Sequence, residues 1–269
     1  MIEANQPATL DIGRVIRRTI DVLGKHPALF FGITALFYLP ITGLNLGFAH
    51  YLDAFVDTTV AATQLADPQL DVFKSVFLKA VSSATLIWLI SLVLTPLSQA
   101  AIIHGVFRSF KGETTSFGAC VETALASWWP VLLTSLLVGA LSMLGFAMCY
   151  LPGVLATVIF YVAIPATVVE GLPANKALQR SDWLTKGSRW QILLLFILTV
   201  GLSAVLNAVV GRIPGVGSQA LPVVWSLLSS LVTIVTTTVG SVMGVVVYHD
   251  LRLLKDEDTG SDDLLAVFD

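Results

Sequence analysis

The amino-acid sequence predicts an all-α fold: a polytopic membrane helical bundle of six transmembrane helices, with both termini cytoplasmic. Three observations predict it. Uncharged apolar stretches long enough to cross a bilayer recur six times along the 269 residues. Apolar residues make up 55% of the chain and charged ones only 12%, against roughly a quarter charged in soluble domains, so a water-facing surface could not be covered. Finally, nearly every Lys and Arg sits in alternate connections between the apolar stretches.

A hydrocarbon core about 30 Å thick needs roughly 20 residues of apolar helix, and only helices or closed barrels satisfy their backbone within it. The apolar runs here are continuous rather than alternating, which selects helices. Spans are expected at about 28 to 49, 82 to 106, 129 to 150, 154 to 170, 190 to 211 and 221 to 248. Leu151, Pro152 and Gly153 alone separate the third from the fourth, a tight hairpin.

The basic residues set the orientation. Arg14, Arg17, Arg18 and Lys25 precede the first span, and Arg108 and Lys111 follow the second. Lys176, Arg180, Lys186 and Arg189 lie between the fourth and fifth, and Arg252 and Lys255 after the sixth. The opposite side carries only Lys74, Lys79 and Arg212, with Asp53, Asp57, Asp67 and Asp71 in its long first loop. Both chain ends are therefore expected inside the cell. The first 26 residues have no apolar core or small-residue cleavage site, so no signal peptide is expected. Cys120 and Cys149 fall on opposite sides of the membrane, and no disulfide is expected between them.

A threefold organisation is also expected, each unit being a short amphipathic helix followed by a transmembrane hairpin. In the first, Ile12, Val15, Ile16, Thr19, Ile20 and Leu23 form an apolar stripe, with Arg14, Arg17, Arg18, Asp21 and Lys25 on the other face. Ser116 is placed to cap the second, where Phe117, Cys120, Val121, Ala124, Leu125 and Trp128 recur at helical spacing. The third starts at Pro173, aligns Ala177, Leu178, Ser181 and Leu184, and ends near Gly187. Such helices lie in the interface with their cations toward headgroups. Of the returning spans, the second and fourth carry Pro96 and Pro165 at comparable depth, each removing a backbone hydrogen bond. The sixth carries Thr236, Thr237, Thr238, Gly240, Ser241 and Gly244 instead, small residues that permit close helix approach. Residues 1–255 thus read as one transmembrane domain and 256–269 as an acidic, disordered cytoplasmic tail.

The stretch Glu170, Gly171, Leu172 through Ala177, Leu178, Gln179, Arg180, Ser181, Asp182, Trp183, Leu184, Thr185, Lys186 and Gly187 resembles a recurrent "EG…ALxRSxxLxKG" segment. Tyr248, His249, Asp250, Leu251 and Arg252 resemble a "YxDLR" ending, and "IGRVIRRTIDVL" is similar in style to the opening helix of the same family. That family is a group of bacterial multi-pass membrane proteins, resembling the membrane domain of some glycerophosphodiester phosphodiesterases and the free-standing, uncharacterised YciC-type proteins. The resemblance implies the fold and a bacterial cytoplasmic (inner) membrane location, but no activity. About twenty residues follow position 248, too few for the phosphodiesterase domain.

Catalytic chemistry needs convergent polar groups, and metal sites need ligands at workable spacing. The sequence shows neither, so no enzyme activity, cofactor or metal is expected. His26, His104 and His249 lie near one interface, which leaves a three-histidine cluster geometrically open, without an accompanying carboxylate motif. Asn45, Gln99 and Asn207 are the polar residues at depth, where amides usually bond helix to helix. Glu170, near Lys176 and Arg180, reads as an interfacial ion pair. Breaks at Pro40, Pro96 and Pro165 could alternatively mark discontinuous helices around a site.

The sharpest physical implication lies in Arg14, Arg17, Arg18, Lys25, Lys176, Arg180, Lys186 and Arg189. Anionic headgroups attract such juxtamembrane cations by about 1 kcal/mol each. Membrane lipids, in particular anionic ones, are the expected partners, with a membrane or cytoplasmic protein as a further partner and no nucleic acid. The expected role is a non-catalytic membrane module in envelope organisation. The alternative is a small permease or channel-like transport subunit.

Overall fold

Long helices without charged residues in their middles form the frame of the molecule. The computed structural model describes residues 10–63, 69–110, 116–213 and 222–265. Among these, every regular element is an α-helix: α1 (Ile12–Lys25), α2 (Pro27–Thr63), α3 (Gln69–Phe110), α4 (Phe117–Ala126), α5 (Trp128–Met148), α6 (Tyr150–Ile159), α7 (Ala163–Glu170), α8 (Ala174–Thr185), α9 (Arg189–Gly211) and α10 (Pro222–Leu265). Among the described residues, six segments are long and apolar enough to cross a membrane: Pro27–Phe48, Ala84–Phe110, Trp128–Met148, Tyr150–Glu170, Arg189–Gly211 and Val223–Asp256. They fall where apolar run length places them. Large apolar side chains cover the outside, Trp190, Leu151 and Met148 each being about four-fifths exposed, a surface that hydrocarbon tolerates and water does not.

The last span is the hub. It is 56% buried, whereas the spans of α5 and α9 are only 11% buried. α10 packs against α1, α2, α3 and α9, and its run from Val242 to Tyr248 is buried almost completely. Threonine and serine hydroxyls link it to its neighbours: Thr34 to Thr238 at 2.7 Å, and Thr42 to Ser230 at 3.0 Å. Thr134 and Thr167 likewise join α5 to α7 at 2.9 Å. Such bonds average about 0.6 kcal/mol in membranes, so they set register more than they supply stability. The amides were expected in this role and take another one. Asn45 donates to Ile41 O at 2.8 Å and Asn207 to Ser203 O at 2.9 Å, both within their own helices.

The prolines act unequally. α2 and α3 run without interruption through Pro40 and Pro96, so the discontinuity considered there is absent. Around Pro165 the fourth span does break, between Ile159 and Ala163. The Ala163 amide bonds to Phe160 O at 3.1 Å, which leaves Ile159 O without its usual donor. Two hydroxyls of α8 fill the gap: Ser181 Oγ donates to Ile159 O at 2.7 Å and Thr185 Oγ1 at 3.4 Å. A broken helix persists at membrane depth only when its freed backbone groups find such partners.

α8 is consequently more than a surface helix. Ala174, Ala177, Ser181, Leu184 and Thr185 are buried against its neighbours, while Leu178 is half-buried. α1 buries Val15, Thr19 and Val22. Ile20, expected in its apolar stripe, is 63% exposed, because the buried line of α1 runs through Val15, Thr19 and Val22 instead. α4 has the Ser116 cap that its sequence indicates, accepting from Ala119 N at 3.3 Å, and buries Cys120 and Ala124. Its Phe117 and Leu125 face outward.

The hairpin between the third and fourth spans is tighter than expected. The reversal is made at Cys149, in extended conformation, and Leu151, Pro152 and Gly153 already belong to α6. Two glycines make it: a Cβ at Gly145 would lie 2.8 Å from Gly153 Cα, and one at Gly153 would lie 2.4 Å from the Phe146 ring. At the chain's end, α10 continues to Leu265, into the segment read from the sequence as an acidic tail. The expected turn at Pro214 to Gly217 lies outside the described residues, as do residues 266–269. Positions 51–63 and 69–79, left undecided from sequence, are helical parts of α2 and α3.

Candidate functional site

α7 ends on Glu170 because Gly171 adopts a left-handed conformation, φ 64°, which a residue with a Cβ adopts only at a cost. The chain then doubles back through Pro173 into α8, bringing Arg180 to Glu170. Arg180 Nε donates to Glu170 Oε1 at 3.1 Å, and the Tyr248 hydroxyl donates to the same oxygen at 2.6 Å. Arg180 Nη2 reaches on to Asp256 Oδ1 at 3.2 Å, whose other oxygen takes Arg252 Nε at 3.2 Å. The Trp183 ring lies 4.8 Å from the Arg180 guanidinium and 5.8 Å from Lys255 Nζ. The result is a polar lock that fastens α7 and α8 onto α10.

A second ion pair lies on the same end. Asp250 is 92% buried by side chain (8% exposed) and is held by Arg18 of α1. Beside it, the ring of His249 packs at 4.8 Å from Phe110. Asp182 gathers Arg189 at 2.6 Å and Lys186 at 3.6 Å. Gly187, with φ 90°, gives the bend from α8 into α9.

Electrostatics favour the charged form of Arg180. Burial works against the charge on Arg180, but hydrogen bonds and charges from Glu170 and Asp256 outweigh it and hold the guanidinium above its ordinary value. Glu170 Oε1, receiving two donors, is occupied structurally.

The candidates expected to face headgroups therefore divide into two sets. Arg18, Arg180, Lys186 and Arg189 have acidic partners. Arg14, Arg17, Lys25 and Lys176 are exposed and have no ion pair among the described residues. Of the motif residues, Glu170, Arg180, Tyr248 and Arg252 join one cluster, with Asp250 adjacent. Gly171 and Gly187 make its turns, and Ala177, Ser181, Leu184 and Leu251 pack beneath it. Lys176, considered a partner of Glu170, takes no part. Asp256 was missed, although its i, i+4 spacing from Arg252 was a readable signal.

No group of three His, Cys, Asp or Glu side chains gathers as metal ligands among the described residues, so the three-histidine cluster left open by topology does not form there. His104 sits 3.5 Å from the Thr123 hydroxyl. Both cysteines are free, Cys120 buried and Cys149 exposed. Comparison with protein-family models, with curated proteins and with solved structures finds no match for the chain.

Proposed function

We propose that this chain is a non-catalytic module of the bacterial cytoplasmic membrane, with both termini inside, whose basic end binds anionic lipid headgroups in envelope organisation. The observation that carries the reading is the division of the cations. Arg14, Arg17 and Lys25 on α1 and Lys176 on α8 are exposed without acidic partners among the described residues. Their neighbours are neutralised. Trp128, Trp129 and Trp190 are exposed at the starts of α5 and α9, which suits an aromatic belt at the headgroup level. With about 1 kcal/mol per cation near an anionic surface, four free cations suffice for selective enrichment of anionic lipid. A cytoplasmic partner protein would use the same face.

The two donors already held on Glu170 Oε1 support a structural rather than a catalytic use of the polar cluster. The segments that carry the family resemblance, 170–187 and 248–252, contribute most of that cluster, in keeping with a motif that preserves a fold.

The test is the lipid retained after gentle extraction. Phosphatidylglycerol and cardiolipin should be enriched over phosphatidylethanolamine relative to the source membrane. Replacing Arg14, Arg17, Lys25 and Lys176 together by Gln should abolish the enrichment, and salt should weaken it. Unchanged lipid composition in that variant would overturn the reading. Saturable solute flux through the pure protein in liposomes, lost on Glu170→Gln or Asn207→Ala, would establish the permease alternative instead.

A further inference from the structure

A cleft of about 420 Å³ lies beside the broken span, walled by α3, α6, α7, α9 and α10. Its size falls in the range of small-ligand sites, roughly 300–1,000 Å³. Among the polar side chains that line it, Gln99, Tyr161, Thr237 and Ser241 have no hydrogen-bond partner among the described residues, whereas the hydroxyls of Thr157, Thr199 and Thr236 donate to carbonyls of their own helices. The backbone carries an acceptor at the same break. Pro165 has no N–H for Tyr161 O, and no described group donates to that carbonyl in its place. Unpaired polar groups at membrane depth are costly. At Ile159 O the chain avoids that cost, with Ser181 and Thr185 as donors.

We propose that this cleft binds an uncharged lipid alcohol that enters sideways from the bilayer, its hydroxyl among the four side chains and its chain along the apolar wall. Three features select that class. No charged side chain lines the cleft, so an ion or zwitterion would lose its hydration without compensation. The four unpaired side chains are hydroxyls and an amide, which a ligand hydroxyl meets both as donor and as acceptor, whereas an ester or ketone only accepts. The mouth opens on the hydrocarbon-facing surface: Val200 lines the cleft and is itself 52% exposed, next to Ile197 at 55%. α9 packs against α10 and α6. Phe196, Ile164 and Ile103 supply apolar wall for the chain.

The experiment uses the full chain in phosphatidylcholine nanodiscs with a diacylglycerol bearing a diazirine in one acyl chain. After irradiation, label is expected on peptides spanning 157–165 and 236–244, and unlabelled dioleoylglycerol should displace it. Tyr161→Phe and Gln99→Leu should each weaken the competition roughly fivefold, the worth of one hydrogen bond. Gly244→Val, which places bulk 3.9 Å from the Tyr161 ring, should exclude the probe. Tyr161→Phe preserves shape, so its result stands even if the valine variant fails to fold. The proposal is overturned by label confined to the outward residues of α5 and α9. Displacement by free glycerol would indicate a water-borne solute and also overturn it, as would equal displacement by phosphatidylglycerol.

Discussion

The hydroxyl of Tyr248 donates to Glu170 Oε1 at 2.6 Å, across 78 residues of sequence. It ties the buried hub helix α10 to the point where α7 ends and the chain turns into α8. Since the same oxygen accepts from Arg180, one carboxylate fixes three helix segments at once. Hydrogen bonds to charged groups contribute about 1.5–3 kcal/mol. Tyr248→Phe should therefore destabilise the protein by about 1.5 kcal/mol, seen as a lower Tm in detergent. In a double-mutant cycle, Tyr248→Phe and Arg180→Met should couple by more than 0.5 kcal/mol, as residues sharing a partner do. Strict additivity would mean that the shared oxygen is not the link.

At the break in the fourth span, Ser181→Ala removes the closer of the two donors to Ile159 O. The single change should cost about 1 kcal/mol, because Thr185 can shift to compensate, and Ser181→Ala with Thr185→Ala should cost more than the sum of the singles. Hydrogen exchange at residues 160–164 in the double variant is the readout, with faster exchange expected there than in α5.

The hairpin reversal depends on backbone contact between α5 and α6. Gly145→Ala would put a methyl 2.8 Å from Gly153 Cα, and no flexible side chain is there to yield. Loss of the folded, monodisperse species on gel filtration is expected. Gly139→Ala is the control, with nothing within 4 Å of the added carbon, and it should behave as the parent or slightly better, since Ala favours helix by roughly 1 kcal/mol.

The cysteines provide a chemical test of orientation. Burial raises the Cys120 thiol above its ordinary value, with Arg108 acting in the opposite sense, so at a given pH it carries less thiolate than an ordinary cysteine. A membrane-impermeant maleimide applied outside intact cells should modify the exposed Cys149 and spare Cys120. In the detergent-solubilised protein at pH 7, Cys149 should react at least tenfold faster, and Cys120 should match it only after denaturation. Modification of Cys120 from outside would reverse the assigned sidedness.

Much of the frame was legible in the sequence. Apolar run length located all six spans, and cap chemistry located α4 at Ser116. The lock was legible only in part. Glu170 and Arg180 lie ten residues apart and could be paired on paper, but Tyr248 and Asp256 reach them only through α10's path across the bundle. Proline identity alone did not locate the break, since Pro40 and Pro96 are absorbed by continuous helices while Pro165 accompanies one. The difference lies in neighbours: α8 supplies two hydroxyls to Ile159 O, the carbonyl that the break leaves without its helical donor.

Solvent preference is a local property, and so the linear chain alone determined which segments belong in hydrocarbon and where helices begin. Partner choice is not local. Which cations are neutralised, which helix forms the centre and where unpaired polar groups surround a cleft were decided by the tertiary structure. Hydrogen bonds and ion pairs act over about 3 Å, and only the packed bundle brings residues distant in sequence within that reach.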